Sequence, residues 1–214
     1  MSTTRPPTRS IKISDDERGG WSSDRPRRDG APPRPANMAA RCHVLAPTDR
    51  MRYSPGSLLV IVSASKEARD AFALRVLEDQ APLLSLDKVR ALLAGRVERA
   101  EVEERAAQLL DAAVAKRLDA GQTVVIAADG LGPEEREHFV RMAFTLKRPR
   151  HLILLDTGRD QVADDDRAAL NELRRALDTG EVGDEGFQTA MRLGGASVGD
   201  LHKIVFRSVQ RDDE

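Results

Sequence analysis

The octet Ser63-Ala64-Ser65-Lys66-Glu67-Ala68-Arg69-Asp70 lies between an apolar run, Leu58-Leu59-Val60-Ile61-Val62, and a helical pattern, Phe72-Ala73-Leu74-Arg75-Val76-Leu77. A turn from a buried strand into a helix grips phosphates when it reads G-x-x-x-x-G-K-[ST], because successive backbone N–H groups then converge on the phosphate oxygens. No glycine stands in this turn. Lys66 and Arg69 offer positive charge and Asp70 opposes it, so phosphate chemistry is invited by position and resisted by composition. Two other carboxylates, Asp129 and Asp156, follow apolar runs at the ends of expected strands, where open parallel sheets bind ligands. A carboxylate there also serves simply to cap the next turn. His43, His138, His151 and His202 are scattered without ligand spacing, and no metal site is expected.

The elements that must position these residues follow from periodicity. Short Val/Ile/Leu runs alternate with helical spacing, the pattern of a parallel sheet covered on both faces. Strands are expected at 58–62, 83–84, 123–127, 151–155 and 203–206, giving a three-layer α/β/α domain around a mostly parallel five-stranded sheet. A helix over 101–119 carries Val102, Ala106, Leu109, Leu110, Ala113, Val114 and Leu118 on its apolar stripe and ends at Gly121. Pro133 opens another helix, with Phe139, Val140, Ala143 and Phe144 inward. A third follows Asp164-Asp165-Asp166, whose carboxylates suit the positive end of a helix dipole.

Charge divides the 214 residues unevenly. Residues 1–56 carry 11 Lys/Arg against 6 Asp/Glu and 8 of the 11 prolines, leaving a net of −6 on the rest. So little apolar content cannot offset the entropy of ordering, and 1–56 is expected to be a disordered basic arm, followed by one domain over 57–209 and a polar tail over 210–214. Its Arg25, Arg27, Arg28 and Arg34 could neutralise phosphates and bind nucleic acid in a salt-dependent way, or the arm is a solubilising tail. Met38 and Met51 both precede the first sheet strand expected, and either is a possible start. No apolar run approaches the ~20 residues that span a bilayer, so no membrane contact and a cytoplasmic location are expected. Cys42, the single cysteine, fits a reducing compartment and reads as an exposed thiol. With aromatics at 3%, a base-stacking platform is not expected.

Several segments in unbroken order, from Leu58 to Phe206, resemble the P-loop kinases related to bacterial polynucleotide kinase. Ser85-Leu86-Asp87-Lys88-Val89-Arg90-Ala91-Leu92-Leu93-Ala94-Gly95 looks like that family's S-x-D-x-x-R-x-x-x-x-G segment. Arg117-Leu118-Asp119-Ala120-Gly121-Gln122-Thr123-Val124-Val125 resembles its helix-Gly-strand passage. Ile126-Ala127-Ala128-Asp129 stands where the family has D-A-T-N, Glu134-Glu135-Arg136 where it has a helix bearing Arg, and Glu185-Gly186-Phe187 matches a short E-G-F. The resemblance implies a P-loop NTPase-like fold. It also gives Asp87 the role of catalytic base toward an attacking hydroxyl, and makes Arg90, Asp129 and Arg136 acceptor-binding residues. Ser85 or Asp87 as helix N-cap, with Arg90 merely solvated, is the plainer alternative.

The departures fall on the catalytic machinery. With strand and helix held in register, Ser63, Lys66 and Ala68 occupy glycine positions, Arg69 the lysine position and Asp70 the position of the magnesium-binding hydroxyl. Side chains at former glycines obstruct phosphate approach. A carboxylate at ~5 Å, at an effective dielectric of about 20, costs roughly 3 kcal/mol per unit of like charge. Ile126 replaces the Asp beside the metal, and the lid region offers only Arg159 and Arg167 around three consecutive Asp. The expectation is a degenerate kinase-like pseudoenzyme without cofactor, binding a protein or nucleic acid through the arm and the old acceptor cleft. The alternative is an ATP- and magnesium-dependent phosphotransferase using Lys66 or Arg69 in place of the usual lysine.

Overall fold

Continuous apolar strands are the mark of a sheet buried on both faces, and this chain builds one. The computed structural model describes residues 38–158 and 162–207. Strands β1 (His43–Leu45), β3 (Leu58–Ser63), β4 (Leu83–Ser85), β5 (Val124–Ala127), β6 (Arg150–Asp156) and β7 (Thr189–Gly194) form a six-stranded sheet in the order β1-β7-β6-β3-β5-β4. Every pairing in it is parallel. Strands β2 (Arg50–Tyr53) and β8 (Lys203–Phe206) pair in parallel as a separate ribbon.

Alternation along β3 sorts the layers. Leu58, Val60 and Val62 point into one core with residues of α3 (Val102–Asp119), α4 (Pro133–Thr145) and α5 (Asp164–Thr179). Leu59 and Ile61 point into the other, with α1 (Lys66–Val76), β2, β8 and the α6 turn (Ser197–Asp200) around them. The fold is therefore α/β, with a mostly parallel sheet between two layers. Helix α3 stops where Gly121 takes a left-handed φ of 71°, and α4 starts at Pro133 as its fixed φ favours.

Three expectations need correction. Residues 43–45 and 50–53 are strands, so the ordered domain begins well inside the segment read as arm; Met51 and Tyr53 are buried and Cys42 is half-buried against the core. The sheet has six strands, gaining β1 and β7, while 203–206 belongs to the ribbon. Strand β7 reads Thr-Ala-Met-Arg-Leu-Gly, with no β-branched run to betray it. Leu109, assigned to the core stripe of α3, is 50% exposed, and the buried stripe is Ala106, Leu110, Val114 and Leu118. Residues 1–37 and 208–214, including the four arm arginines, lie outside the described residues.

Candidate functional site

Chemistry-bearing side chains gather at the C-terminal ends of β3, β4 and β5. Only Ala64 and Ser65 separate β3 from α1. Ser65 is the N-cap, its hydroxyl accepting from the Ala68 N–H at 3.1 Å, and the buried Ser63 hydroxyl accepts from the Ser65 N–H at 3.2 Å. The helix thus begins at Lys66, three residues ahead of Arg69, and the positions that would wrap a phosphate are wound into its first turn. On the neighbouring strand the hydroxyl of Ser85 caps α2 (Leu86–Leu93) through the Lys88 N–H at 3.2 Å, leaving Asp87 in the first turn.

Arg69 is fully buried. Its Nη1 donates to the Ala128 carbonyl just past β5, and its Nε donates to Asp70 Oδ1 at 2.8 Å. Its Nη2 lies 2.8 Å from Asp70 Oδ1 and 3.7 Å from Asp87 Oδ2, close enough for charge attraction. Neither contact is aligned as a hydrogen bond, so this buried Nη2 lacks an acceptor.

Around it the remaining charges interlock. Lys66 Nζ donates to Asp129 Oδ1 and stands 3.8 Å from Asp87 Oδ2. Arg90 Nη1 donates to Asp87 Oδ1 at 2.8 Å and to Asp129 Oδ2 at 3.2 Å, while its Nε and Nη2 hold Glu103 at 3.0 and 2.7 Å. These bonds, led by the one to Glu103, raise the Arg90 pKa above its ordinary value. Partial burial works to raise the Asp129 carboxyl, but Lys66 and Arg90 outweigh it and hold Asp129 below the usual range. Glu135 accepts from the Asp129 and Gly130 N–H groups; burial pushes its carboxyl up against those two bonds. Three cations therefore meet four carboxylates, Asp70, Asp87, Glu103 and Asp129, in one network.

Of the residues singled out in the sequence, Ser63, Lys66, Arg69, Asp70, Asp87, Arg90 and Asp129 do come together. Arg136 does not. It is a buried ion pair, donating from Nε and Nη2 to Glu185 at 3.0 and 2.8 Å and from Nη1 to the Leu131 and Gly132 carbonyls. That pair explains the Glu185-Gly186-Phe187 motif structurally: Glu185 neutralises Arg136, and Phe187 is core. Arg167 is exposed and paired with Asp164 on its own helix at 2.7 Å, and Arg159 lies outside the described residues. Among the described residues Asp156 is clasped by Arg174 and Arg192; partial burial would raise its carboxyl, yet the two guanidiniums hold it below the usual range. Ile126 is core, paired in register with Val60 and Leu84. Glu103 and Glu135 are the members that sequence reasoning missed; their only signal is an acidic residue in a helix first turn, which ordinarily serves the dipole.

A cleft of about 670 Å³ opens at the opposite end of the sheet, lined among others by Gly56, Pro82, Arg117, Thr123 and Phe206. Among the described residues no three His, Cys, Asp or Glu side chains are grouped to hold a metal, and no helix is long and apolar enough to cross a membrane. No protein-family model matches this chain, and no curated protein matches it at a significant level.

Proposed function

We propose that this chain is a non-catalytic relative of the P-loop kinases, a cytoplasmic pseudoenzyme whose retained cleft at the strand ends of β3, β4 and β5 binds a macromolecular partner. The observation that carries the reading is the placement of Arg69. The cation at the lysine position is buried, turned onto the Ala128 carbonyl and Asp70, and the helix starts three residues before it. A phosphate approaching from above would meet Ser63 and Lys66 side chains instead of a ring of backbone N–H groups. The four ion-paired carboxylates and the adjoining Glu135, against three cations, make the cleft acidic, which favours a protein surface over a nucleic-acid backbone there.

Thermal shift with magnesium-ATP tests this directly. A ligand at 100 times its dissociation constant stabilises by about 2.7 kcal/mol, so binding would be visible. The expected result is no shift, no ATP hydrolysis and no phosphorylation of a 5′-hydroxyl oligonucleotide. Turnover that disappears in Lys66→Ala would overturn the reading and restore the phosphotransferase.

A further inference from the structure

We propose that Asp129 is a built-in carboxylate plug: it occupies, in place of a phosphate group, an anion site formed by Lys66 and Arg90, with the buried guanidinium of Arg69 reaching the same cluster through Asp87. Each Asp129 oxygen has its own cation, Oδ1 taking Lys66 and Oδ2 taking Arg90 at 3.2 Å. Two cations on two oxygens of one planar acid is the arrangement by which proteins hold phosphate and carboxylate ligands. Here the acid is supplied by the chain itself.

Its backbone is pinned in that position, because Glu135 accepts from the N–H groups of Asp129 and Gly130 at 2.9 and 3.3 Å. The second, independent sign of an anion site is Arg69: its side chain is fully buried and its Nη2, ion-paired with Asp70 Oδ1 at 2.8 Å and 3.7 Å from Asp87 Oδ2, has no aligned hydrogen-bond acceptor. A buried guanidinium N–H left without an acceptor is rare. The three cations come from separate places, two from α1 and one from α2, and converge only in the fold.

The site is therefore closed to anions while Asp129 is charged and in place, and it takes a phosphoryl group once that charge is removed. This goes beyond the pseudoenzyme reading, which fails if the wild-type protein turns over magnesium-ATP. The plug is tested separately, with inorganic phosphate as the probe.

Asp129→Asn keeps the shape and deletes the charge. Melting of the full chain is followed with increasing sodium phosphate, against sodium chloride of equal ionic strength. Wild type is expected to respond equally to the two salts. In Asp129→Asn, phosphate at ten times its dissociation constant is expected to raise Tm by about 3–6 °C over chloride, saturably. The Lys66→Ala/Asp129→Asn double variant is expected to lose that difference. A single variant that melts identically in both salts overturns the inference, as does a double variant that still responds, or a wild type that responds as strongly. Should Asp129→Asn fail to fold, folding restored by phosphate and not by chloride supports the plug, and failure in both overturns it.

Discussion

Arg69 and Lys66 are near neighbours of the same charge, yet they live in different dielectric worlds. Lys66 is 46% exposed, so its pair with Asp129 is worth at most about 1 kcal/mol to stability. Arg69 is buried, and its loss would leave the Ala128 carbonyl without that donor and a void beneath α1. Arg69→Ala is accordingly expected to destabilise by about 2–4 kcal/mol, a value kept below that of a fully buried ion pair because Asp70 is half-exposed. Lys66→Ala is expected to cost less than about 1 kcal/mol. Urea denaturation of the two variants measures both, and equal costs would show that Arg69 is a surface charge in solution.

Strand β1 is the element that most changes how the chain is divided. Its three residues pair in register with Thr189, Ala190 and Met191 of β7, and just before it the Ala40 N–H donates to the Gly183 carbonyl at 2.8 Å. The fit there is close, since a Cβ on Gly183 would collide with the Ala40 carbonyl. A chain starting at Met38 keeps all of this, whereas one starting at Met51 loses β1, its lead-in and the first residue of β2. The shorter chain is expected to melt at least about 5 °C below the longer one, as the loss of roughly 2 kcal/mol would produce in a domain of this size. Calorimetry on the two forms decides it; indistinguishable melting would make β1 an ornament on the sheet edge.

At the scale of the whole molecule, pH dependence should report a residue far from the charged cluster. His151 is buried at the start of β6, with its ring nitrogens 2.8 Å from Thr189 Oγ1 and 3.3 Å from Ser57 Oγ and its ring 4.4 Å from that of Tyr53. Burial, helped by the charge of Arg150, lowers its pKa from 6.5 to about 4. The unfolded chain therefore binds a proton that the native state refuses. The stability is complete above pH 6.5 and is lost progressively as pH falls toward 4, roughly 3 kcal/mol in all. Glu135, raised by burial, contributes in the opposite sense just above pH 4.5, so the His151 contribution is isolated by comparison with His151→Gln. Denaturation between pH 4.5 and 7 should give a steeper rise for wild type than for the variant, and parallel profiles would refute the assignment.

How much was legible beforehand depends on whether the information is local. The apolar runs of β3, β5 and β6 and the stripe of α3 announce a buried parallel sheet, because burial on both faces leaves no polar alternation. The Ser85 cap and the helix start at Pro133 are local too, and so is the missing glycine loop. Tertiary structure alone decided which charges meet. Asp129 lies 63 residues from Lys66 and 39 from Arg90, Arg136 lies 49 from Glu185, and nothing in a carboxylate or guanidinium names its distant partner. Strand order makes that choice: β5 between β3 and β4 sets Asp129 between two cations, and packing turns Arg69 inward, where a charge must find partners or pay in desolvation.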